Sequence, residues 1–355
     1  MNVKSILSAL FFLFCLFTQC SQNVSRTNTF PESAINFLNI DQGKVAILDE
    51  TYEPYFSQLQ KREVHVFTGI KPPSNDITEI RSFAKEKFAS AVIPFSEDEK
   101  ECITFVISRI KATMNRHNIN LVANHPWRFI KIEDWLCGGF AHTRGNSIIL
   151  SQKHLEKLMV NWSQSMNEKD ENELVSKFGA LLVHEQLHSL QRSYKSKFDS
   201  LYRDFWGFIP LSVEPNKAIA INQVSNPDAP NLEWAFEEND NYYWVRTLIK
   251  EHIENPKMGR DFIDCVYQLE YKNGNYSVKE DSLGSPISFR LARFKNYTNR
   301  FPVSNGLDHP NEISAYMFSQ YFVSLYNNST PFEDQKEEAK KTTKVFIKWI
   351  KQHLK

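Results

Sequence analysis

The sequence predicts an α+β protein, on three observations. Two long segments carry apolar residues at helical spacing: Leu174, Phe178, Leu181, Leu182 and Leu190 in one, Val345, Phe346, Trp349, Ile350 and Leu354 in the other. Short β-branched and aromatic runs are joined by turn signals at Arg144-Gly145-Asn146 and Asn273-Gly274. These strands fall in blocks and do not alternate one by one with helices. The 355 residues suffice for one large domain or two smaller ones with a core that needs no staples. Basic and acidic residues balance at 42 each, so no overall field draws nucleic acid or an anionic membrane surface. Phe is abundant (27) and Gly scarce (11), which suits a packed body over a disordered one.

Residues 1–20 read as a targeting segment. Lys4 supplies a positive start, and Ile6 to Thr18 is an apolar run too short to span a bilayer. The run ends at Phe17-Thr18-Gln19-Cys20, which resembles a bacterial lipoprotein signal. That resemblance implies export and a lipid anchor on Cys20, on a periplasmic or cell-surface membrane face. An ordinary cleaved signal beside a cysteine is the alternative. Cys102, Cys137 and Cys265 have no metal-ligand spacing, and one disulfide among them leaves one thiol free.

Residues 21–90 hold a polar tether and a mixed region without a functional pattern. Within 91–200, Ser96 and Glu99 form a capping box before a stripe of Ile103, Val106, Ile110 and Met114. A strand follows at Trp127–Ile132, then a hairpin from Gly139–Thr143 to Ser147–Leu150, then a helix from about Glu171 to Tyr194. Residues 201–290 form a β-containing insert. It has hairpin arms at 234–236 and 242–245, and at 266–271 and 276–278. A helix over Asn241–Ile253 is the competing reading of its first part. Residues 291–355 are helical, with one helix from Pro310 to about Tyr326 and a last one starting at Thr330-Pro331 with Glu333 as capping partner.

The helix of 171–194 contains His184-Glu185-Gln186-Leu187-His188. Residues i and i+4 share a helix face, so both imidazoles can meet one ion. Glu185 is turned about 100° from His184 by the 3.6-residue period, so it can reach a water without competing as a ligand. The segment resembles the active-site helix of zincin metallopeptidases. The metzincin form places Gly and His where this chain has Gln191 and Tyr194, which excludes that class. Asn311-Glu312-Ile313-Ser314-Ala315 resembles the segment that supplies a third ligand, a glutamate, in gluzincins.

The resemblance implies a zincin-like catalytic domain with an active-site helix and a small antiparallel sheet. It implies Zn2+ on His184, His188 and Glu312, with Glu185 as the base. Glu214 is the rival third ligand, and an acid with only a capping role is the other reading of Glu312. Tyr316 stands where an orienting Asp is found in thermolysin-like relatives, so the partner of a ligand histidine must come from elsewhere. His309, Tyr316, Tyr242 and Tyr243 are candidates to stabilise an oxyanion. Gly139–Thr143 resembles the edge strand that pairs with an extended substrate, or is an ordinary hairpin arm. The expected function is therefore a zinc peptidase acting on peptides or proteins. The alternatives are an amidase acting on a cell-wall or other non-peptide amide, and an anchored binding protein that has lost catalysis.

Overall fold

The computed structural model describes residues 34–212, 216–230, 234–272, 274–330 and 335–355. The targeting segment with Cys20, the tether at 21–29 and Glu214 lie outside these residues. The mixed region becomes strand β1 (Ile35–Phe37) and helices α1 (Ile40–Ile47), α2 (Lys61–Thr68) and α3 (Ile77–Ser90). Asn39 and Asp76 cap α1 and α3 with side-chain oxygens, which satisfies main-chain donors that a helix start leaves open. After the short strand β2 (Val92–Ile93), helix α4 (Glu97–Arg116) starts at the predicted Ser96–Glu99 capping box. Helix α5 (Asn120–Asn124) leads to β3 (Trp127–Ile132), which has the predicted bounds.

The next hairpin departs from expectation at one end. Cys137 and Gly138 take left-handed backbone in a tight turn, so strand β4 (His142–Arg144) begins at His142 and not at Gly139. Strand β5 (Ser147–Ser151) returns after Gly145-Asn146. The sheet order is β1-β3-β5-β4, with β2 also on β3. Strands β1, β3 and β5 are mutually parallel, so this sheet is mixed and not antiparallel. The cause is the hairpin itself: β5 inserts between β3 and β4, which sets it parallel to β3 and leaves β4 at the edge. Phe129, Ile148 and Leu150 face the larger core, while Ile130, Ile132 and Ile149 face the core under α1–α3. Burial on both faces explains the unbroken run Ile148-Ile149-Leu150.

Helix α6 (Gln152–Leu158) precedes α7 (Glu168–Leu174) and α8 (Ala180–Ser193). The last two form one helical run joined by a π-helical turn at Val175–Gly179, a wider turn inside the predicted helix. Gly179 lies against Phe322, and a Cβ there would sit 2.9 Å from the Phe322 ring.

Helix α9 (Lys195–Ser200), strand β6 (Ile209–Pro210) and helix α10 (Lys217–Ala220) lead to a second sheet. Its order is β10-β9-β8-β7-β6, with β11 also on β9, and every pairing is antiparallel. Strands β7 (Trp234–Glu238) and β8 (Asn241–Ile249) turn at Asn239-Asp240, both at positive φ as a tight hairpin turn requires. The helical reading of 241–253 is overturned. Both edges of β8 are paired, and its side chains alternate between the helical core (Tyr243, Val245) and a separate cluster (Tyr242, Trp244). Strands β9 (Phe262–Lys272), β10 (Asn275–Val278) and β11 (Ser288–Arg290) complete the sheet.

Helix α11 (Lys295–Arg300) precedes α12 (Pro310–Tyr326), which has the predicted bounds. Helix α13 (Glu337–His353) starts at Glu337 after Lys336, not at Thr330-Pro331, and Glu333 lies outside the described residues. Phe346, Trp349, Ile350 and Leu354 bury the predicted face of α13 in the larger core. Cys102, Cys137 and Cys265 are unpaired thiols. Among the described residues, no helix is long and apolar enough to cross a membrane.

Candidate metal centre

Helix α8 packs along α12, and three side chains meet where they face each other. His184 and His188 bring their Nε2 atoms to 3.1 Å. Glu312, in the first turn of α12, places Oε2 3.4 Å from His184 Nε2 and Oε1 3.7 Å from His188 Nε2. A tetrahedral zinc ion with bonds of 2.0–2.2 Å sets its ligand atoms about 3.3–3.6 Å apart. Taking one ligand atom from each residue, the donors lie within 4.8 Å of one another, close enough to converge on one such ion. They also differ in kind, two imidazoles and one carboxylate, which is a donor set suited to zinc and related divalent ions.

Burial pushes His188 down to about 3, so its ring is neutral near pH 7. Burial pushes the Glu312 carboxyl upward, but His188, His184 and the Asn226 amide outweigh it and hold the group down at about 2. Both residues are thus in the ligand form without a proton to displace.

The orienting partner that the sequence left open is Gln191. Its Nε2 donates to the Asn311 main-chain oxygen and to Ser314 Oγ, both at 2.9 Å. Its Oε1 must then accept, and it lies 2.8 Å from His188 Nδ1. The proton sits on Nδ1, and the Nε2 lone pair faces the other donors. Glu312 is steadied by Asn226 Nδ2, which donates to Oε1 at 2.8 Å. Gly306 permits the close turn into α12: its φ is +71°, and a Cβ there would meet Tyr316 and Glu312 at 2.7–2.8 Å.

Glu185 is buried beside this group, with Oε2 2.9 Å from Thr143 Oγ1 of β4. Burial first, and the Asp228 carboxylate second, push Glu185 well above the usual carboxylate range. Asp228 comes from the loop 222–230 and is raised by burial and by Glu312. That loop is fastened to β8 by Val224 N–H to Thr247 O (2.9 Å), and to α2 where Ser225 N–H donates to Glu63.

A cavity of about 530 Å³ opens here. Four carboxylates line it: Glu185, Asp228, Asp308 and Glu312. Leu181, Phe140, Met258 and Phe262 supply an apolar wall. Tyr316 lines it too, with its ring edge against His184 at 4.5 Å between centroids.

The structure does not bring His309 to this cavity. Its Nδ1 caps α12 by accepting from Asn311 N–H at 3.0 Å, and it borders a separate, smaller recess with Tyr52 and Arg192. Tyr242 and Tyr243 lie in the second sheet, and Glu237, Glu238 and Asp240 lie at its β7–β8 turn. Compared with family models, curated proteins and solved structures, the chain matches none.

Gln191, Thr143, Asn226 and Asp228 escape sequence reasoning. Gln191 alone carried a usable signal, because it follows His188 by three residues on the same helix face. The others approach only through the fold.

Proposed function

We propose that this chain is a zinc-dependent hydrolase with a zincin-like catalytic centre, acting on peptide bonds. The observation that carries this reading is the convergence of His184, His188 and Glu312 beside a buried Glu185. Zinc bound there supplies Lewis acidity and lowers the pKa of a water to about 7. The two imidazoles and Glu312 hold it, with Gln191 fixing one ring and Asn226 the carboxylate. Glu185 takes a proton from the attacking water and hands it to the departing nitrogen. Thr143 orients Glu185 for that transfer. Burial keeps the Tyr316 phenol protonated, so it can donate to the developing oxyanion. The cavity is lined by Ala141, just before the edge strand β4, where the main chain can pair with an extended substrate. The targeting segment supports export, with Cys20 as the lipid anchor.

Two measurements test this reading. Purified wild type should bind about one zinc per chain, and Glu312→Ala should bind at least tenfold more weakly. Glu185→Gln should keep the metal and lose at least a hundredfold in peptide hydrolysis. Full zinc retention by Glu312→Ala, or unchanged hydrolysis by Glu185→Gln, sinks the assignment.

A further inference from the structure

The outer edge of β4 is only partly open. Arg144 and Ser147 flank the two-residue turn and pair inward, as do His142 and Ile149. Thr143 therefore turns its main-chain groups outward, and Ala141 precedes the paired residues. At Thr143 both groups are already taken: the N–H donates to Asp228 Oδ1 at 2.5 Å, and the oxygen accepts from Arg192 Nη2 at 3.4 Å. Ala141 lines the cavity and is the next residue at which an added strand can pair. A peptide laid along β4 must stop or turn away at Thr143.

What waits at that end is a group of hydrogen-bond acceptors, led by the Asp228 carboxyl. Asp228 is 8% exposed, and its carboxylate reaches within 4.8 Å of the Glu185 carboxylate and the His188 ring. An independent feature points the same way. His142 is 2% exposed and lines the cavity. Its Nδ1 is 3.0 Å from the Phe140 oxygen and so carries the proton, which leaves a lone pair on Nε2 with no protein partner. Asp308 adds another acceptor, and among the described residues no Lys or Arg lines the cavity. A ligand that fits brings hydrogen-bond donors and positive charge.

Strand direction agrees. A substrate antiparallel to β4 has its amino-terminal side at Thr143 and Asp228. In the opposite direction its carboxylate would meet Asp228, and like charges repel. The amino nitrogen of a peptide lies about 2.5 Å from its own residue's carbonyl carbon. An ammonium on Asp228 thus sets the first peptide bond beside Glu185.

We propose that the cavity captures the free amino terminus of a peptide on Asp228, making this an exopeptidase that removes the first residue. The proposal rests on the hydrolase reading above. Water oxygen bonds to the first carbonyl carbon, and the C–N bond breaks. The water's proton passes through Glu185 to the leaving nitrogen, so the products are a free amino acid and a shortened peptide with a new amino terminus. The apolar wall favours a first side chain such as Leu.

The test compares one leucine-first pentapeptide with its N-acetylated form. Zinc-loaded Glu185→Gln, titrated by calorimetry, should bind the free peptide at least tenfold more tightly. Wild type should release leucine from the free peptide and cut the acetylated one at no bond. Asp228→Asn keeps an acceptor for Thr143, so it should leave the edge closed while erasing the preference. Equal binding of the two peptides by Glu185→Gln, internal cuts in the acetylated peptide, or an intact preference in Asp228→Asn overturns the proposal. A wild type that cleaves neither peptide while Glu185→Gln keeps its preference removes the hydrolase and leaves the amine site standing. Cleavage of the acetylated peptide does the reverse.

Discussion

Gln191 decides which nitrogen of His188 faces His184 and Glu312, because its amide nitrogen is committed to Asn311 and Ser314. Outer partners of this sort are worth about 10–100-fold in metal affinity. Gln191→Ala should therefore weaken zinc binding by about that factor in a chelator competition, while Glu312→Ala should lose more. An unchanged affinity in Gln191→Ala would show that His188 needs no orienting partner. The sequence carried the candidate ligands but not their surroundings. His184, Glu185 and His188 were legible because local helix geometry alone places them together. Asp228 was not, because nothing local marks an Asp between Pro227 and Ala229 as buried beside a glutamate far upstream.

The element on which the site depends is the contact of α8 with α12. Gly179 lets Phe322 approach the start of α8, and any larger side chain must push α12 outward. Overpacking of that kind costs about 1–3 kcal/mol. Gly179→Val should lose that much stability in chemical denaturation, and its zinc affinity should fall because Glu312 rides on α12. Full stability would mean that the helices slide freely.

A second element, α2, holds the loop 222–230 through Glu63. Burial raises that carboxyl to about 7, against 4.5 ordinarily. The folded chain then keeps a proton that the unfolded chain releases, so stability falls as pH rises from about 4.5 to about 7. Glu63→Gln should remove that part of the slope, as read by denaturation at pH 5 and pH 8. The Pro310 start signal and the β-rich run Trp127–Ile132 placed α12 and β3 at close to their observed bounds. Capping signals missed the start of α13, where Lys336 precedes the helix without a side-chain cap.

Across the whole molecule, the candidate ligands clasp two helices that a complete antiparallel sheet separates in the chain. An ion bound there stabilises the folded state only, by about 2.7 kcal/mol when it is present at a hundred times its dissociation constant. Removal of metal by a chelator should lower the melting temperature of wild type by several degrees and leave Glu312→Ala unmoved. Equal responses would place the stabilising ion elsewhere. The α+β class was legible from turn signals and helical stripes. The mixed first sheet was not, because insertion of β5 between β3 and β4 leaves no mark in the pattern of either strand.

The distance along the chain from His188 to Glu312 also orders events during synthesis. The histidine pair leaves the ribosome long before its carboxylate partner. A growing chain cannot bring the three candidate ligands together until α12 has emerged and docked, so on the proposed reading every intermediate length should be metal-poor and inactive. Truncation anywhere between the two helices has the same outcome. On the proposed reading, docking of α12 is thus the step that completes the centre.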